Sequence, residues 1–245
     1  MSNATMSRLP HRIKASLTVT AVALAISFTS NTFAFEHSSN LELAITNATY
    51  QHDIPELNAL ADSSAGYNKA YALYRLAQVN MPNEDKSAVI AHLNDALTAL
   101  TPISDPEAEV LKAAILGLLM GADPKSASTL YPQVQQTLTA AKAHKSAKPR
   151  ALLIEGINAF YVPPAFGGGT EKARLLFKEA LSYYQSPVKN AQVSWGEVET
   201  YIWLGQVLEQ EGQKEEARSA YEEALTLAPN CTWAKHQLSQ LNEKS

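Results

Sequence analysis

Gly167, Gly168 and Gly169 are the residues whose type and spacing come nearest to a reaction, because consecutive glycines let backbone N–H groups close around a phosphate. That chemistry also needs a preceding strand and a following Gly-Lys-Ser/Thr, and the sequence around 167–169 has neither. The stretch therefore reads as a turn. Histidines at 37, 52, 92, 144 and 236 are scattered, with no His-Glu-x-x-His spacing that would put two imidazoles on one metal. Glu215-Glu216 and Glu222-Glu223 fall on the polar faces of their helices, where a solvated surface accounts for them. No Gly-x-Ser-x-Gly occurs, and Cys231, the only cysteine, has no general base suggested beside it. The sequence assigns no catalytic residue, metal ligand or cofactor site, and the expectation is a protein that is not an enzyme.

The elements that carry these residues are helical. Tyr201, Leu204 and Leu208 recur three and four apart, as do Ala217, Tyr221 and Ala224, so each set shares one helix face. Gly205, Ala217 and Ala224 are small enough to let the two backbones approach. Gly212 suits a left-handed helix end, and Pro229 cannot continue the second helix. The result is an antiparallel pair whose outer apolar faces need neighbours.

Those neighbours repeat along the chain. Ser38 or Ser39 caps a helix with Leu41, Ile45 and Ala48 on one face, and Asp53-Ile54-Pro55 starts a second bearing Leu57 and Leu60. After a break at Gly66, Leu73, Leu76 and Ala77 with Val89, Leu93 and Ala96 reproduce the register of the last pair, joined by the turn at 80–85. Asp105-Pro106-Glu107 starts the next, in which Ala113, Leu116 and Gly117 lead to Val134, Leu138 and Ala141. Leu152, Gly156 and Ala159 lead likewise to Ala173, Phe177 and Ala180, across an enlarged turn at 162–169 with Thr170 as the expected N-cap. Seventeen residues separate Gly117 from Val134 and Gly156 from Ala173, and the extra length is assigned to 121–125 and 162–169. Residues 185–194 link to the last pair, and Trp233, Leu238 and Leu241 mark a closing helix.

Tyr201, Leu204, Gly205, Leu208, Ala217, Tyr221, Ala224 and Pro229 fill every signature position of a tetratricopeptide repeat, a helix–turn–helix unit of about 34 residues. Residues 67–242 resemble that family, most closely over 198–231. The resemblance implies an all-α solenoid of antiparallel helix pairs. Its parts are capping helices at 35–65, degenerate repeats at 66–197, a well-formed repeat at 198–231 and a capping helix at 232–245. It also implies a concave groove lined by the first helix of each pair. In this register that groove would carry Tyr71, Tyr74 and Gln78, then Arg150, Leu153, Ile157, Phe160 and Tyr161, then Glu199, Gln206 and Gln210. Rings and amides of this kind suit an extended peptide. The Lys and Asn cluster with which some members clamp a C-terminal carboxylate is absent; Arg75 and Arg150 are the only basic residues near its places. The turn from Phe160 to Lys172-Ala173 is similar to that of many exported bacterial repeat proteins, including a subunit that accompanies some periplasmic transporters.

The address points the same way. Arg8, Arg12 and Lys14 precede the apolar run 17–28, and Thr32-Phe33-Ala34 offers a small-residue end, the layout of a secretory signal peptide over 1–34. The run is about a dozen residues, short of the roughly 20 that span a bilayer. Met1 to Thr5, ahead of a second methionine, reads as an expression remnant. Loss of a segment with three basic and no acidic residues takes the formal charge from −4 to −7, unsuited to nucleic acid. The expectation is a periplasmic scaffold for a protein or peptide partner, with a small-molecule-binding subunit of a transporter as the alternative.

Overall fold

The computed structural model describes residues 39–81, 86–185 and 195–243. The chain divides into Met1–Thr32, which lies outside the described residues together with the signal expected there, and Phe33–Ser245, to which all the described helices belong. Residues 82–85 of the first repeat's turn and 186–194 of the linker also lie outside them.

Among the described residues there are eleven α-helices, two 3₁₀ turns and no strand. In order these are α1 (Ser39–Gln51), α2 (Ile54–Ser63), α3 (Gly66–Asn80), α4 (Lys86–Leu100), α5 (Pro106–Ala122), α6 (Ala127–Lys142), α7 (Lys148–Tyr161), α8 (Thr170–Tyr184), α9 (Glu197–Gln210), α10 (Lys214–Leu227) and α11 (Thr232–Glu243). The 3₁₀ turns are Pro124–Ser126 and Pro164–Phe166. Start signals read from the sequence act locally. Asp53 accepts from the Glu56 amide at 3.1 Å and Asp105 from the Glu107 amide at 2.8 Å, each satisfying an orphan N–H of the helix it opens. Gly212 takes φ +79°, and the Gln213 amide reaches back to the Leu208 carbonyl at 2.8 Å.

Each odd-numbered helix packs on the even-numbered helix after it, giving five antiparallel pairs and a closing helix, the architecture of an all-α solenoid. Odd helices also touch the next odd helix along the chain, whereas even helices touch only odd ones. The odd helices thus form an inner layer and the even helices an outer one. Burial follows. On inner α3, eleven side chains from Tyr67 to Asn80 are buried, nearly the whole circumference. On outer α4 only Val89, Leu93, Ala96 and Leu100 are buried, a single stripe at helical spacing. The inner layer also closes on itself, for α11 touches α1.

Small residues set the spacing within pairs. A Cβ on Gly205 would lie 2.4 Å from Cε1 of Tyr221, and one on Gly156 would lie 2.4 Å from Cε1 of Phe177. Ring and backbone are already in contact at both places. Two expectations from the sequence need correction. Thr170 is the first residue of α8 rather than its cap; Gly169 takes the cap position, with no side-chain cap bond, and donates its own amide to the Ala159 carbonyl at 2.8 Å. The extra length after Gly117 does not all go into a turn. Helix α5 continues through Gly121 and Ala122 before the 3₁₀ turn at Pro124–Ser126.

Gly205→Ala should destabilise the fold by about 1–3 kcal/mol despite alanine's better helix propensity, because the added methyl meets the Tyr221 ring. Urea denaturation should show a lower midpoint at unchanged slope; an unchanged or higher midpoint would show that the ring can move aside.

Candidate functional site

The inner helices bring polar side chains to the centre of the ring. Arg75 of α3, only 3% exposed, pairs through Nη2 with Glu199 of α9, 124 residues later. Its Nε donates to the Tyr71 hydroxyl at 2.9 Å and its Nη1 to Gln78 Oε1 at 3.0 Å. Tyr71 lies 3.0 Å from Thr46 Oγ1 of α1, and since the Thr46 hydroxyl donates to the Glu42 carbonyl at 2.8 Å, Tyr71 is the donor. Glu199 Oε2 accepts from the Tyr50 hydroxyl of α1 at 3.2 Å and from the Gly196 amide at 2.8 Å. One carboxylate therefore caps α9 and joins it to α1 and α3.

A second buried pair lies alongside. Arg150 of α7 holds Glu107 of α5 in a two-point fork, Nε to Oε2 at 2.8 Å and Nη2 to Oε1 at 2.7 Å. Trp195, 2% exposed, lies near both guanidiniums. The ring centroid is 5.7 Å from Arg75 Cζ and 5.8 Å from Arg150 Cζ. Burial works against ionising Glu199, but the facing Arg75 charge outweighs it and holds the carboxyl below the usual range. Burial likewise pushes Tyr74 up to about 12, so its hydroxyl is neutral.

A different surface lies toward the C-terminal end of the inner layer. Phe160 and Tyr161 close α7, Trp203 is on α9 and Trp233 on α11. Their rings meet edge to face, with centroids at 5.3 Å for Phe160–Tyr161, 5.7 Å for Phe160–Trp203, 5.9 Å for Tyr161–Trp203 and 5.6 Å for Trp203–Trp233. Tyr161 is 69% exposed, and Phe166 of the neighbouring turn 78%. Gln206 and Gln210 lie three and seven residues after Trp203 on the same side of α9, half-buried and exposed respectively.

The eight candidate groove residues thus fall into two groups. Tyr71, Tyr74 and Arg150 are buried, and Gln78 is half-buried with its carbonyl taking the Arg75 bond and its Nε2 donating to Tyr74 at 3.0 Å. All four are engaged within the protein. Phe160, Tyr161, Gln206 and Gln210 retain exposed surface. Trp195 and Trp203 escaped the sequence reading. Trp195 sits ahead of a helix, outside any periodic pattern, and Trp203 falls between signature positions, so neither had a signal beyond its size. Among the described residues no group of three or more His, Cys, Asp or Glu could hold a metal ion. A cleft of about 540 Å³ opens between α2, α3 and α4, lined by Asp62, Lys69, His92 and Asp95 over Leu73 and Leu76.

With that geometry in place, the family comparison is specific: residues 198–231, spanning α9 and α10, match the family model described as a tetratricopeptide repeat. The matched tetratricopeptide repeat lies toward the C-terminal end of the stack of helix pairs. No curated protein matches it.

Glu199→Gln should cost about 3–5 kcal/mol, because it leaves the buried Arg75 charge unpaired. Adding Arg75→Met should recover a large part of that loss, and purely additive losses would show the pair to be uncoupled. The folded-state pKa of Glu199 is lowered, so its contribution is present above the unfolded carboxylate value and is lost as pH falls through the folded one. Acid titration of stability should accordingly be less steep in Glu199→Gln than in the parent.

Proposed function

We propose that the protein is an exported scaffold that binds a protein or an extended peptide through the aromatic surface of Phe160, Tyr161, Trp203 and Trp233. The observation that carries this reading is Tyr161, a large ring left 69% exposed yet held in place by two others. A tetratricopeptide repeat supports an interaction role in general. Rings fixed in this way contribute contact area at little entropic cost, and the amides of Gln206 and Gln210 can bond a peptide backbone alongside them. The other half of the expected groove is occupied by internal bonds, which supports a reading in which α7, α9 and α11 carry the contacts.

The transporter-subunit alternative needs an enclosed space among the inner helices, and Trp195 fills the centre of that layer. Export rests on the basic, apolar and small-residue pattern of residues 1–34. We assign no catalytic role.

Photo-crosslinking in cells of the native source tests this reading. A photoreactive phenylalanine analogue at Tyr161 or Phe166 should capture a discrete protein adduct, while the same group at exposed Leu175 or Leu227 of the outer helices should not. Adducts that are equal at all four positions, or absent from the first two, would remove this surface from consideration.

A further inference from the structure

Helices α2 and α4 both pack on α3 but not on each other, so a groove opens between them with α3 as its floor. It holds the cleft of about 540 Å³, a volume within the usual range of small-molecule sites. Asp62 comes from the α2 wall and Asp95 from the α4 wall, both exposed, while half-buried Lys69 rises from α3. Leu73 and Leu76, at i+4 and i+7 from Lys69, are buried and make an apolar floor.

The charges in this cleft have no counterpart within the protein. Elsewhere Arg75, Lys142, Lys148, Arg150 and Arg174 each meet a carboxylate of another helix. Lys69 forms no ion pair with Asp62 or Asp95, although all three line one cleft, and among the described residues none of the three has a side-chain hydrogen bond. The buried Nδ1 of His92, on the α4 wall, also has no partner. Opposite charges held apart over an apolar strip can be satisfied together by one molecule lying between them.

We propose that this cleft binds a free basic amino acid, arginine or lysine. The α-ammonium and the side-chain cation take one aspartate each, the carboxylate takes Lys69, and the methylene stem lies on Leu73 and Leu76. The charges then cancel, two carboxylates and one ammonium of the protein against two cations and one carboxylate of the ligand. A polyanion such as a nucleotide is repelled by the aspartates, and a ligand that is only cationic leaves Lys69 unmet. The inference does not rest on the aromatic surface, which belongs to α7, α9 and α11.

Calorimetric titration of the full chain with arginine tests it, at low ionic strength where exposed charges are least screened. Arginine should bind saturably at one site. Citrulline, of similar shape without the side-chain charge, and agmatine, without the carboxylate, should each bind about ten-fold more weakly, because each loses a charge-assisted hydrogen bond. Lys69→Met should weaken arginine by about the same factor and leave agmatine unchanged. Asp62→Asn and Asp95→Asn should each weaken arginine, and in one of them arginine and citrulline should become equal. These side chains bond to nothing in the protein, so the variants should keep the parent's circular dichroism. No saturable binding of either arginine or lysine would overturn the proposal. So would equal binding of arginine, citrulline and agmatine, or binding that all three variants leave unchanged, which would put the ligand elsewhere on the chain.

Discussion

Two buried guanidiniums, both within reach of one indole, are the constraint on which the ring of inner helices depends. A charge taken out of water costs several kcal/mol unless a counter-charge and further hydrogen bonds meet it. Arg75 is met by Glu199 and Arg150 by Glu107. The first pair joins helices α3 and α9, which are far apart in the chain, so the solenoid can bury it only by curving until its ends meet. Contact between α1 and α11, and the Tyr50 bond to Glu199, belong to the same closure. An ion pair of this kind adds little net stability over apolar packing, but it penalises any arrangement that leaves one partner behind.

Closure redistributes the available surface. In an open repeat stack the inner helices present side chains to a groove, whereas here Tyr71, Tyr74, Gln78 and Arg150 bond to one another or to Glu107. On α7, α9 and α11 of the inner layer, the rings of Phe160, Tyr161, Trp203 and Trp233 keep accessible surface. The outer helices carry single apolar stripes beneath largely polar outer faces, Glu215, Glu216, Glu222 and Glu223 among them.

Much of this arrangement was legible beforehand because it depends on neighbours in the chain. The caps at Asp53 and Asp105, the left-handed Gly212, and the close approach of two helices at Gly205 involve residues within one helix pair. Spacing reports such contacts directly, because i, i+3 and i, i+4 positions share a face whatever the rest of the chain does. The Thr170 cap failed for a local reason too: Gly169, one residue earlier, already occupies the cap position.

By itself, then, the sequence determined helix pairs, their order and their inner packing residues, since periodicity and turn chemistry are short-range physics. Whether an inner-face tyrosine or arginine meets solvent or another side chain was decided by the tertiary structure alone. Arg75 and Glu199 are 124 residues apart, and nothing in the local pattern of either records the curvature that brings them together. That curvature accumulates from small rotations at each successive pair, and it places Trp195 in the middle of the ring and leaves Tyr161 at its edge.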